Sequence, residues 1–236
     1  MSKFDLAKTQ LLAELLAVVP EKRDEQWLQR FYAAVPDASL LAGNPQVEQG
    51  PDGFPYFQLA MPDAGTFTPF CVTHVLDNCL QHGMGIALFD NSRRKGEPAW
   101  VFTYGSLLSF KLYSAFDGDP NEPRSSGPAS EPPSDESRKI LTGAPAESYL
   151  PAYARKAMGD FFRRALQHPD PRVALVVDPQ LNPMRNLMVN LTIEDYGGDE
   201  KKMRGALYYL SWFLPSSYGL VAMPTGWKAN GFIPLA

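Results

Sequence analysis

Residues 173–193 read VALVVDPQLNPMRNLMVNLTI, two apolar runs around a turn. Val173 to Asp178 is a short apolar run of the kind that forms a buried strand. Leu181 to Asn186, with Asn182 and Pro183 inside it, is turn chemistry. Leu187 to Ile193 alternates, so Leu187, Val189, Leu191 and Ile193 share one face of a second strand. Upstream, Ser148 is placed to cap a helix running to His168. Leu150, Ala154, Met158, Phe161, Phe162, Ala165 and Leu166 recur there at helical spacing. Downstream, Asp199 opens another helix, with Met203, Ala206, Leu207, Leu210 and Phe213 on one face and Pro215 at its end. Tyr218 to Met223 is a third strand. The order is α-β-β-α-β, and three strands with two helices on one face make a small α+β layer.

The N-terminal half opens on two short helices. Leu11, Leu12, Leu15, Leu16 and Val19 form a helical stripe stopped by Pro20. Asp24 caps a second helix carrying Trp27, Leu28, Phe31, Tyr32 and Val35. Ala38 to Leu41 is a short strand, and Gly43 to Gly53 is rich in turn residues. Phe54 to Met61 is a strand whose early Pro55 favours an edge. Thr68-Pro69 opens a third helix, with Gly83 at its C-terminal cap. Met84 to Phe89 and Ala99 to Tyr104 are strands joined by a long loop, and Leu107 to Tyr113 is a short helix.

Between the halves lies DGDPNEPRSSGPASEPPSDES, residues 117–137. It holds five prolines, six acidic residues and one arginine, a local charge of −5. Its only aliphatic side chain is Ala129, so it cannot bury enough to offset the entropy of ordering. The expected organisation is therefore an N-terminal α+β domain over 1–116, a disordered Pro/acidic linker over 117–137 and a C-terminal domain over 138–236. The fold class is α+β, as two small mixed α/β-layer domains.

The whole chain has 236 residues, 44% hydrophobic and 20% charged, with net charge −4. That is globular composition and excludes a wholly disordered chain. No apolar run is long enough to span a membrane, so no membrane is expected. The acidic balance lacks the field of a nucleic-acid binder, so no nucleic acid is expected. With two cysteines among 236 residues the chain is not a disulfide scaffold, and its expected place is the cytoplasm.

Several segments resemble the SseB family, named for enhanced serine sensitivity. They are Gly83 to Phe89 with Trp100 to Gly105, then Leu141 to Pro145 leading into Leu150-Pro151. The last are Leu214-Pro215 and the closing strand Tyr218 to Pro224. The resemblance is a pattern of elements rather than a sharp motif. It implies a two-domain bacterial cytoplasmic α+β protein, with no enzymatic activity and no catalytic residues to carry over. The acidic linker and the aromatic C-terminal tail depart from the family.

Candidate chemistry is sparse. Cys71, His74, Cys79 and His82 have zinc-ligand side chains. They fall on one continuous helix, and eleven residues separate the outer two by roughly 16 Å, too far for one ion. The expectation is no metal and no cofactor, with buried thiols and half-exposed imidazoles. No nucleophile elbow or phosphate loop is present, and adjacent acids such as Glu194-Asp195 read as turn formers. No catalytic residue is assigned. The binding candidates are His74 and His82 on the third helix, Asp90, Arg93 and Arg94 on the loop, and Trp100 and Tyr104 on the strand after it. Trp227 and Phe232 join them from the tail, which either packs on its own domain or plugs a partner.

The expected function is a non-catalytic binding or regulatory protein acting through protein–protein contacts, with a homodimer left open. Two alternatives stand beside it. One is an enzyme with a site between helix 69–82 and hairpin 84–104. The other is a protein associated with a secretion or toxin-immunity system.

Overall fold

The computed structural model describes residues 5–63, 67–90, 96–125, 140–178, 182–227 and 231–235. The chain divides into two compact units, Met1–Leu107 and Leu108–Ala236. Both are α+β, with helices and mixed sheets.

In the first unit, helix α1 (Leu6–Leu16) starts where the Asp5 carboxylate accepts from the amides of Ala7 and Lys8. Helix α2 (Glu25–Ala34) starts where Asp24 accepts from Trp27. Each cap satisfies amides that the helix leaves without a partner. The sheet has four strands, β1 (Leu41–Gln49), β2 (Pro55–Ala60), β3 (Gly85–Phe89) and β4 (Trp100–Phe102), side by side in that order. β1–β2 and β3–β4 are antiparallel, while β2–β3 is parallel across helix α3 (Val72–His82). Leu12, Phe31, Leu59, Leu80, Ile86, Leu88 and Phe102 are fully buried between the layers.

Three expectations about this unit change. β2 is an interior strand, not an edge. Pro55 is tolerated because it is the first residue, where a missing amide removes little of the ladder. The segment 43–45, expected as turn, belongs to β1, whose register is irregular between Ala42 and Val47. Helix α3 begins at Val72 rather than Pro69. Phe70 instead exchanges two backbone hydrogen bonds with Leu40, of 2.7 and 2.8 Å. Gly83 does end α3, at φ 68°, a left-handed position suited to glycine.

Helix α4 (Tyr104–Tyr113) spans the division between the units. In the second unit, α5 (Ala152–Ala165) and α6 (Glu200–Ser211) accompany a sheet of β5 (Leu141–Gly143), β6 (Arg172–Val177), β7 (Arg185–Val189) and β8 (Gly219–Ala222) in that order. β5–β6 and β6–β7 are antiparallel and β7–β8 is parallel. The α-β-β-α-β order is thus α5-β6-β7-α6-β8. The second strand stops at Val189, and Ile193 begins a 3-10 turn. A short strand β9 (Ile233–Pro234) also pairs with β6, at Arg172 and Val173, while β5 pairs at Leu175 to Val177.

Both units contain one motif. An antiparallel pair is followed by a helix and a strand parallel to the second of the pair: β1-β2-α3-β3 and β6-β7-α6-β8. The parallel ladders even begin alike. Gly85 faces Tyr56 in one, and Gly219 faces Asn186 in the other. In each case the large side chain lies where a Cβ on the glycine would be, at 2.7 Å for the Tyr56 ring and 1.8 Å for Asn186 Oδ1.

Residues 117–125, the first part of the stretch expected to be a linker, are hydrogen-bonded within the second unit. The Gly118 amide donates to Ser109 Oγ at 2.8 Å, the Asp119 amide to Ser217 Oγ at 3.0 Å and the Ser125 amide to the Ser216 carbonyl at 2.8 Å. The remainder, 126–137, lies outside the described residues.

Candidate functional site

The described binding candidates of the first unit sit on three elements: His74 and His82 on α3, Asp90 just past β3 and Trp100 on β4. His74 is exposed and stacks on Phe70, with ring centroids 5.6 Å apart. His82 is exposed two turns later, its Nδ1 2.9 Å from the Asn78 carbonyl oxygen. Asp90 is half-buried just past the end of β3. Arg93 and Arg94 lie outside the described residues. Trp100 is half-buried against Phe31 at 4.7 Å and Trp27 at 5.6 Å, one member of an aromatic cluster.

Tyr104 needs correction. The expected strand to Tyr104 stops at Phe102, and Tyr104 opens α4, fully buried, donating its hydroxyl to the Leu80 carbonyl at 3.0 Å. It therefore shares no strand face with Trp100. Cys71 and Cys79 are buried thiols outside any disulfide, and burial pushes the Cys79 thiol up to about 12, which makes it an inert hydrophobe. Among the described residues no group of three or more His, Cys, Asp or Glu is placed to hold a metal.

The tail candidates also find a bland place. Trp227 and Phe232, with Ile140 and Met223, pack partly buried against the apolar cluster Val176, Met188 and Val221. They cover one face of the second sheet. Leu235 behind them is 1% exposed, and its carbonyl accepts from Arg163 at 3.1 Å. Of the two readings of the tail, packing on its own unit is the one observed.

The most developed polar site is elsewhere in the second unit. A small notch, with room for about one water molecule, is lined by Tyr113, Asp119, Glu122, Tyr149, Pro183, Arg185, Ser217 and Tyr218. Each arrives from the end of an element. Tyr113 closes α4, Tyr149 precedes α5, Arg185 opens β7 and Tyr218 precedes β8. The rings of Tyr149 and Tyr218 stack at 4.0 Å and 5°. Tyr218 donates its hydroxyl to the Tyr149 carbonyl at 2.6 Å and lies 2.6 Å from the Tyr113 hydroxyl.

That geometry fixes the direction of the chain. A tyrosine has one hydroxyl hydrogen, and Tyr218 spends it on the carbonyl. Tyr113 must then donate to Tyr218, so Tyr113 faces any other group only as an acceptor. Burial raises the pKa of all three phenols, which keeps them neutral and the chain intact at ordinary pH.

Among the described lining residues Arg185 supplies the one positive charge. Its guanidinium sits 5.5 Å from the centroid of the Tyr149 ring and is ion-paired with Glu122. The Glu122 hydrogen bond raises the Arg185 pKa further. The two side chains are 42% and 25% exposed, so the pair is worth only about 0–1 kcal/mol. The arrangement is an arginine beside an aromatic ring, with one guanidinium nitrogen already on a carboxylate. Sequence reading missed it because its members are single residues scattered from 113 to 218. No local motif or spacing links them.

Compared with known proteins, the chain matches no family model, no curated protein and no solved structure. Among the described residues no helix is long and apolar enough to cross a membrane.

Proposed function

We propose that this chain is a non-catalytic binding protein that acts through protein contacts, and that its second unit takes a carboxylate from an acidic segment of the partner. The observation that carries the reading is Arg185, braced over Tyr149 and already engaged with a carboxylate, that of Glu122. Guanidinium and carboxylate pair in a planar fork that tolerates any peptide presenting the acid. The half-buried Tyr149 ring lies beside the charge. The resemblance to the SseB family implies the same kind of role, in the cytoplasm of a bacterium.

The test uses the full chain and a fluorescein-labelled hexaglutamate peptide at low salt, where exposed charges are least screened. Anisotropy should rise on binding, and hexaglutamine should give no rise. Arg185→Gln should weaken binding by about tenfold, the scale of a charge-assisted hydrogen bond lost at the surface. Equal binding by the wild type and Arg185→Gln would remove the notch from the proposal.

A further inference from the structure

We infer that residues 117–125 act as a built-in competitor for this site, so that the partner's carboxylate must displace Glu122. The inference rests on the binding reading above and concerns its regulation.

The stretch is pinned at both ends, and in the middle it turns on itself, the Glu122 amide donating to the Asp119 carbonyl at 3.1 Å and the Asn121 amide to Asp119 Oδ1 at 2.9 Å. At its start the Gly118 amide donates to Ser109 Oγ, and the Asp117 carbonyl accepts from Ser216 Oγ. Gly118 has φ 102°, and a Cβ there would meet the Ser217 backbone nitrogen at 2.8 Å, so the chain enters through a position that only glycine fits. The Asp119 amide continues the anchor onto Ser217 Oγ. At the far end the Ser125 amide donates to the Ser216 carbonyl. Arg124 also pairs back to Asp117 at 2.8 Å, closing the segment on itself. Between these anchors Glu122 reaches out to Arg185.

Glu122 can therefore swing off Arg185 while both anchors stay. The pair is partly exposed, so water can reach both charges when they part. The segment that carries the competitor is itself acidic, with Asp117, Asp119 and Glu122 against Arg124. It has the chemistry expected of the partner and mimics it. Such a contact sets a threshold: a partner's carboxylate binds only as far as it outcompetes Glu122 for the one guanidinium.

The experiment compares wild type, Glu122→Gln and Arg185→Gln, each as the full chain, with the same labelled hexaglutamate. Glu122 is a surface residue of a loop, so its amide variant keeps the fold, checked by unchanged far-UV circular dichroism. Glu122→Gln should bind about two- to fivefold more tightly than wild type, the factor that one exposed ion pair corresponds to. Arg185→Gln should bind about tenfold more weakly than wild type. If wild type binds through Arg185 but Glu122→Gln binds no better, the competition is overturned and the binding site stands. If neither wild type nor Glu122→Gln binds better than Arg185→Gln, the binding site itself falls, and the competition with it.

Discussion

Tyr218 is the residue on which the notch depends. Its hydroxyl is both donor to Tyr149 and acceptor from Tyr113. Tyr218→Phe leaves the Tyr149 carbonyl and the Tyr113 hydroxyl each short of a partner, so it should destabilise the protein by about 1–3 kcal/mol. Tyr113→Phe removes only the outer donor and should cost about 0.5–1.5 kcal/mol. Urea denaturation of the two variants checks the order. Gly85 makes a second residue-scale prediction. A Cβ there would lie 2.6 Å from the Phe102 carbonyl oxygen and 2.7 Å from the Tyr56 ring, and backbone cannot give way. Gly85→Ala should cost about 1–3 kcal/mol by overpacking. Gly143→Ala, which meets nothing within 4 Å, should stay within about 0.5 kcal/mol of wild type. Residue roles of this kind were barely legible in the sequence. Gly83 could be read, because a glycine after a helical stripe has one common use. Tyr218 could not, because its partners are remote in the chain. Trp227 and Phe232 were seen as conspicuous aromatics, but only the fold shows that they cover Val176 and Met188.

At the scale of elements, α5 shows how a helix start escapes a rule. Ser148 is the expected cap, yet the helix begins at Ala152 with Pro151 at the cap position and no side-chain bond from it. Glu147 takes over the task from outside. One carboxylate oxygen accepts from the Ala152 amide at 2.9 Å, and the other pairs with Arg155. The Arg155 hydrogen bond, with the Ala152 amide behind it, lowers the Glu147 pKa from its ordinary 4.5. A carboxyl depressed in the folded state stabilises above the unfolded value and loses that contribution as pH falls through the folded one. The difference in Tm between wild type and Glu147→Gln should therefore be present at pH 7 and shrink steadily below about pH 4.5. A difference that grows on acidification would contradict it. Elements with an apolar run or a stripe were readable: α2, α6, β3, β6 and β8 lie close to where periodicity puts them. β5 and β9 were not, since two or three residues carry no period. β1 was hidden because Gly43, Asn44 and Pro45 have turn composition while lying within a strand.

At the scale of the whole molecule, the α+β class was legible and the repetition of one motif in both units was not. The motif is defined by strand direction, and direction comes from pairing rather than composition. Both cysteines belong to the first unit and are buried. A thiol reagent should titrate two groups per chain in denaturant and react slowly with the native protein. Prompt native labelling would show that α3 is less sealed than its burial indicates. The parallel pairing of β7 with β8 has a further consequence, in time rather than in energy. β6 and β7 are antiparallel neighbours across a short connection, so they can meet early. β8 must wait for the 29 residues between Val189 and Gly219, α6 included, to find their place. Strand pairs separated by that much chain close late in folding. Substitutions at Tyr218 or Gly219 should then speed unfolding and leave the refolding rate nearly untouched, so the notch is the last part of its unit to assemble and the first to be lost.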